Sequence, residues 1–265
     1  MDTTPLPIAL TVAGSDSGGG AGIQADLKTF HAFGVYGTSV VTAVTAQNTL
    51  GVRAVHAVPL EHVRAQIEVL MEDLRPAALK TGMLATRPLV STVASALREH
   101  ALDRYVMDPV MVATSGDRLL DSDAEATLAR ELLPLAAIVT PNLREAAILT
   151  GGAVVTLADM REAARALVRL GARAALVKGG HLEGDAVDLL WDGAEERIWR
   201  RRRMETRHTH GTGCTLSAAI TAGLARGDPP VEAVERAITF VARAIAGAPG
   251  LGRGHGPVNH FVPVG

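Results

Sequence analysis

Short apolar runs rich in Val, Ile, Leu and Ala alternate along the chain with longer stretches whose apolar residues recur every three or four positions. The short runs predict β-strands at Ile8–Ala13, Ser39–Ala46, Ala77–Thr81, Arg104–Asp108, Ala137–Thr140 and Ala174–Lys178, with a further pair at Ala186–Trp191 and Arg197–Arg202. The longer stretches predict helices at Ala21–Phe33, Glu61–Leu74, Arg87–Glu99, Asp123–Leu133, Leu143–Thr150, Leu157–Leu170, Thr212–Arg226 and Val231–Ala246. Strand followed by helix, repeated, is the signature of an α/β fold with a central, mostly parallel sheet flanked by helices on both faces. In an open sheet of that kind ligands sit beyond the carboxyl ends of the strands. The chemistry is therefore expected in the loops that follow them: AGSDSGGGAG (Ala13–Gly22), AQNTLG (Ala46–Gly51), KTGML (Lys80–Leu84), DPVM (Asp108–Met111), TPNLREA (Thr140–Ala146) and KGGH (Lys178–His181).

Composition narrows the class. With 48% hydrophobic residues, 20% charged residues and a net charge of −2, the 265 residues can bury a substantial core. No Pro/Ser-rich linker or charge run divides them, so one domain over 1–265 is expected. The near-neutral balance argues against a nucleic-acid partner. The one basic cluster, Arg200–Arg203, lacks interleaved aromatics and reads as a solvated strand end or an interface, with anion contact as the alternative. The longest uncharged stretch, Phe33–Val52, is broken by Gly, Ser, Thr, Gln and Asn, so no membrane partner is expected. A single cysteine, Cys214, excludes an intrachain disulfide, and no basic residue precedes Lys28 to begin a secretory signal; both suit a cytoplasmic protein. Of the 26 basic residues only Lys28, Lys80 and Lys178 are lysines, and Gln and Asn are equally scarce. Most of these rare residues fall in strand-end loops or beside the Gly-rich loop. There a compact ammonium facing phosphate is a reason to keep Lys in a chain that otherwise uses Arg.

Three motifs carry candidate chemistry. GSDSGGGAG follows a strand and opens a helix, so its bare backbone could approach a ligand and the helix N-terminus could accept negative charge; a plain tight turn is the alternative. HGTGCTLSAAI places Gly211, Thr212, Gly213 and Cys214 at a helix N-terminus with free N–H groups, an anion hole. The helix dipole, aided by His208 or His210, is expected to favour the Cys214 thiolate. Cys214 itself reads as a buried small hydrophobe, as the nucleophile of a Cys/His hydrolase, or as a polar group beside a transferring phosphate. TPNLREA sets Asn142 and Glu145 three apart on one helix face, within reach of a shared Mg²⁺, or else as a helix cap with an acidic first turn. Asp108, before Pro109, is likewise a turn residue or a group near the metal.

These blocks, with TAQNTLGV, SGDRLL (Ser115–Leu120), VKGGH and the terminal GRGHGPVNHF, resemble in order and nearly end to end the hydroxymethylpyrimidine/phosphomethylpyrimidine kinases of thiamine biosynthesis, within the ribokinase-like superfamily. The resemblance implies a ribokinase-like α/β domain that transfers the γ-phosphoryl of ATP to the hydroxymethyl of 4-amino-5-hydroxymethyl-2-methylpyrimidine and then phosphorylates the product. It implies a pyrimidine pocket of Gly14, Asp26, Gln47, Met83 and Val110, in which the Gln47 amide offers a donor and an acceptor to an aminopyrimidine. It implies ATP at Lys178 and Thr212, the transferred phosphate at Gly211, Gly213 and Cys214, Mg²⁺ near Asn142, Glu145 and Asp108, and a homodimer.

Many ribokinase-like enzymes carry an Asp as base at the end of the G-x-G turn, where this chain has Cys214; the pyrimidine kinase branch shares the Cys. A loose phosphoryl-transfer transition state asks little of a base and much of charge stabilisation, so the Gly211–Cys214 N–H groups and Mg²⁺ are expected to supply most of the catalysis, with Cys214 assisting. Pyridoxal or pyridoxine is the alternative acceptor. A nucleotide-dependent oxidoreductase, which lacks its ribose-binding acid here, and a non-catalytic binding module are the other classes.

Overall fold

The computed structural model describes residues 6–112, 120–180 and 184–265. His181 and all of the SGDRLL block except Leu120 lie outside the described residues. The chain begins with β1 (Ile8–Ala13), α1 (Gly22–Ala32), β2 (Tyr36–Val41), β3 (Ala43–Asn48), β4 (Gly51–Ala57) and α2 (Leu60–Asp73). There follow β5 (Ala78–Thr81), α3 (Arg87–Glu99), β6 (Tyr105–Met107), α4 (Ser122–Glu131), β7 (Ile138–Val139) and α5 (Leu143–Thr150). The chain continues through α6 (Leu157–Arg169), β8 (Ala175–Gly179), β9 (Ala186–Trp191), β10 (Glu196–Arg201), α7 (Thr212–Arg226) and α8 (Pro230–Ala246).

Eight strands form one sheet in the order β10-β9-β8-β7-β6-β5-β1-β2, parallel from β2 to β8, with β9 and β10 closing the edge antiparallel. The two-residue period of a strand explains why both faces are covered. Leu10, Val12, Leu79, Met107 and Val177 point into one apolar cluster with the side chains of α2 to α6. Their neighbours Ala9, Ala78, Val106, Ile138 and Leu176 point into the other, with α1, α7 and α8. Helix α7 is buried along nearly all of its length, which accounts for its lack of a polar face.

The expected strand Ser39–Ala46 is two strands. Thr42 breaks it: its N–H donates to Ala13 O (3.0 Å) and its hydroxyl to Met83 O (2.9 Å), so the chain is pinned at the strand end and leaves the sheet. β3 then pairs with the unanticipated β4 in a separate antiparallel hairpin whose register shifts between Ala46 and Gln47. After α8 the chain returns across the molecule: His255 N–H donates to Thr49 O (2.8 Å), His210 N–H to Gly256 O (3.1 Å) and Asn259 N–H to Ala244 O (3.0 Å). This C-terminal strap ties the hairpin turn to the turn that precedes α7. A Cβ on Gly254 would overlap the Thr49 carbonyl, so only glycine permits the approach.

Candidate active site

The strand-end loops meet around a cavity of about 1500 Å³. β1 ends at Ala13 and the glycine-rich loop folds over Asp16, whose carboxylate accepts the N–H groups of Gly18 (2.8 Å), Gly20 (3.0 Å) and Ala21 (2.9 Å). His210 Nε2 lies 2.8 Å from the same carboxylate. Burial works to raise the Asp16 carboxyl, but His210 and the loop N–H groups outweigh it and hold it below the usual carboxylate range.

Across the cavity α7 is preceded by its N-cap Gly211, which holds a left-handed conformation (φ 82°) and would overlap the Gly20 carbonyl if it carried a Cβ. Thr215 N–H donates to Gly211 O (2.8 Å) and Thr212 N–H to Thr209 O (3.2 Å). The N–H groups of Gly213 and Cys214 are thus left without a helical partner at a helix N-terminus lining the cavity. A cluster of charge sits beside this turn. Lys178 Nζ, at the end of β8, is 3.2 Å from Asp108 Oδ1, and the Ser217 hydroxyl of α7 donates to Asp108 Oδ2 (3.1 Å). Burial works to raise the Asp108 carboxyl, yet Lys178 and Lys80 hold it low; burial works to lower Lys178, yet Asp108 and Glu145 hold it high.

Asn142 and Glu145 form a reciprocal capping box on α5: Glu145 N–H donates to Asn142 Oδ1 (2.9 Å) and Asn142 N–H to Glu145 Oε2 (2.8 Å). The cap weighed against a metal role is therefore present. Burial pushes the Glu145 carboxyl up to about 7, with Lys178 opposing and Asp108 adding.

Gly14, Gln47, Met83, Val110, Asp108 and Lys178 line the cavity, as do Asn142, Glu145, Gly211, Thr212, Gly213 and Cys214. Asp26 does not. It is fully buried on α1, where it accepts from Lys80 Nζ (2.9 Å) and the Thr11 hydroxyl (2.6 Å). Burial lifts the Asp26 carboxyl, Lys80 and Thr11 restrain it, and Asp26 in turn keeps Lys80 protonated against burial. The expected Cys214 thiolate is corrected too. Burial pushes the thiol up to about 11, Asp26 and Asp108 adding and Lys80 and the Gly22 N–H opposing, while His210 is engaged with Asp16. The thiol is protonated at neutral pH.

Two features escaped the sequence reading. Arg201, Arg202 and Arg203, read mainly as a solvated strand end, line the cavity. Arg201 pairs with Asp188, and Arg203 bonds the Gly180 and Gly184 carbonyls. The Asp16–His210 pair joins residues 194 apart, and only the His directly ahead of the G-x-G turn hinted at it.

A parallel α/β sheet whose strand-end cavity joins a helix-terminal anion hole, a cavity-lining lysine and a paired aspartate is the architecture of a ribokinase-like small-molecule kinase. The family model of phosphomethylpyrimidine kinase matches residues 16–259. The chain is 57% identical over 258 residues to the hydroxymethylpyrimidine/phosphomethylpyrimidine kinase of Rhizobium meliloti (strain 1021), covering 96% of this chain and 97% of that one. It superposes on Bacillus subtilis pyridoxal kinase, solved as an ADP complex, with a TM-score of 0.90 at 39% identity over 97% of this chain and 98% of that one. It also superposes on the phosphomethylpyrimidine kinase of Clostridium difficile 630, with a TM-score of 0.82 at 42% identity over 90% and 99%. The chain belongs to the phosphomethylpyrimidine kinase family.

Proposed function

We propose that the chain, acting as one catalytic domain, transfers the γ-phosphoryl of ATP to the hydroxymethyl group of 4-amino-5-hydroxymethyl-2-methylpyrimidine and then phosphorylates the monophosphate, in thiamine biosynthesis. The observation that carries this reading is the joining of Gln47, Lys178 and the Gly211–Cys214 turn in one cavity large enough for two substrates. Gln47 addresses the aminopyrimidine edge, Met83 and Val110 its ring, and Gly14 lets the backbone close over it. Lys178 and Thr212 bind the nucleotide, and the Gly213 and Cys214 N–H groups meet the charge that develops on the transferred phosphoryl. The protonated Cys214 thiol serves as a weak donor rather than a base.

Among the described residues no three His, Cys, Asp or Glu side chains form a ready metal cage. The oxygen donors of Asn142, Glu145 and Asp108 nevertheless suit Mg²⁺, which commonly takes one or two carboxylates and completes its shell with water and substrate phosphates. A Glu145 carboxyl poised near neutrality fits such a ligand, since a nearby cation would ionise it. When bound, Mg²⁺ neutralises charge on the nucleotide phosphates.

No helix among the described residues is long and apolar enough to cross a membrane. The single cysteine suits an enzyme of the reducing cytoplasm with small-molecule partners. The β3–β4 hairpin stands apart from the main sheet with Val44 and Val55, on opposite faces of it, each about half exposed, and it is the surface offered to a second copy in a homodimer.

ADP release measured with the hydroxymethylpyrimidine, its monophosphate and pyridoxal as acceptors tests the reading. Turnover of the first two supports it, and no ADP with either refutes it. Pyridoxal is the second reading because of the close superposition on a pyridoxal kinase. A kcat/KM for pyridoxal above that for the pyrimidine would establish it.

A further inference from the structure

Strand β3 pairs with β4 along one edge only. Along its other edge runs the glycine-rich loop, and the contacts there keep the two-residue period of the strand. Ser15 N–H donates to Ala43 O (2.8 Å). Two residues on, the Thr45 hydroxyl donates to Ser15 O (2.8 Å) and Thr45 N–H points at Ser15 Oγ (3.4 Å). Two further on, Gln47 N–H donates to Ser17 Oγ (2.8 Å), and the same hydroxyl donates to Gln47 O (2.7 Å). The N–H and carbonyl of one strand residue point to the same side, so a single hydroxyl serves both: its proton goes to the carbonyl and a lone pair takes the N–H. Ser15 and Ser17 thus stand where a third strand would, and Ser17 ends it at Gln47.

Gln47 depends on that hold more than Ala43 or Thr45 does. The pairing with β4 passes from Ala46–Ala54 to Gln47–Val52 and leaves Arg53 out, and a bulge disrupts the ladder where it falls. One residue past Gln47 the strand ends, at Asn48. The β4 side therefore guides Gln47 least where its side chain must be aimed. We propose that Ser17 is a positioning residue for the acceptor: its hydroxyl fixes the Gln47 backbone beside the bulge and so sets where the Gln47 amide meets the substrate ring. This rests on the reading that Gln47 contacts the ring of the acceptor. Gln47 lines the cavity, whereas Ser17 is exposed, lies outside the lining and has its one proton committed to Gln47 O. Ser17 acts on the acceptor through Gln47 and leaves the nucleotide side, at Lys178 and Thr212, untouched.

The test is steady-state kinetics on the full-length protein, with 4-amino-5-hydroxymethyl-2-methylpyrimidine and ATP varied separately. Ser17→Ala removes only an exposed hydroxyl. It is expected to raise KM for the pyrimidine about fivefold, the scale of one hydrogen bond, with kcat and KM for ATP within about twofold of wild type. Ser17→Thr keeps the hydroxyl and is expected to stay within about twofold of wild type throughout. The deciding arm is a cycle with Gln47→Ala. If Ser17 acts through the Gln47 side chain, Gln47→Ala and the Ser17→Ala/Gln47→Ala double variant share a pyrimidine KM to within about twofold, whereas a general loosening of the loop adds its full effect in the double variant. A pyrimidine KM raised by Gln47→Ala but unchanged by Ser17→Ala, or raised again in the double variant, overturns the positioning role alone. A pyrimidine KM unchanged by Gln47→Ala overturns the proposal together with the reading beneath it.

Discussion

Replacing Lys80 with Met removes one partner of an ion pair that has no access to solvent on either side, with Nζ 2.9 Å from Asp26 Oδ1. The carboxylate left behind keeps only the Thr11 hydroxyl, and the charge cluster near Cys214 and Asp108 loses a cation. Breaking a buried pair from one side costs about 3–5 kcal/mol. In a protein of this length each kcal/mol moves the melting temperature by about 2 °C, so Lys80→Met is expected to melt about 6–10 °C below wild type at pH 7. Asp26→Asn on the Lys80→Met background removes the orphaned charge and keeps an acceptor for Thr11, and should recover at least half of that loss. Calorimetry on the four members of the cycle measures both effects. A Lys80→Met protein that melts within 2 °C of wild type, or a double variant no more stable than the single one, would refute the reasoning, since either shows that the pair is not carrying buried charge.

Four further outcomes follow from the geometry. Alkylation of Cys214, the sole cysteine, should speed up about tenfold per pH unit through pH 9 with no plateau below 10, because the thiol sits near 11; a plateau near 7 would restore the thiolate. Cys214→Ala, which removes only a hydrogen-bond donor to the charged phosphoryl, should lower kcat about tenfold, and a loss under about threefold would remove the thiol from catalysis. Glu145 titrates near 7 when folded against an ordinary 4.5, so its contribution to stability is complete below pH 4.5 and is lost as pH rises through 7; Glu145→Gln, which can keep the cap, should match wild type at pH 4.5 and melt above it at pH 8, and equal melting at pH 8 contradicts this. Gly211→Ala forces a side chain into a left-handed turn against Gly20 and should cost several degrees in Tm and most of kcat; near-normal turnover would mean that the turn is not where phosphate is held.

The architecture was legible because strand and helix periods differ and because each strand's alternate residues feed a different core. Where that signal failed, the cause was local. Ser39–Ala46 carries no Gly or Pro at the point where Thr42 diverts it, so the break is set by hydrogen bonds to Ala13 and Met83 that lie far away in sequence. β4 is largely exposed and offers no buried face to read. At the site, residue types pointed to loops and motifs pointed to chemistry, but pairings escaped. Lys80 has a location on β5 and no legible partner until α1 brings Asp26 beside it, and the arginines after β10 look solvated because nothing in RRRR records which way the chain turns next.

The C-terminal strap bears on how the enzyme comes into being. A ribosome delivers the glycine-rich loop, the hairpin and α7 well before residues 254–260, yet His255 and Gly256 hold the backbone at Thr49 and His210 against each other. The binding wall is therefore completed by the portion of chain synthesised after everything it braces, so a nascent polypeptide can assemble its sheet while still tethered but gains a finished site only after that portion clears the exit tunnel.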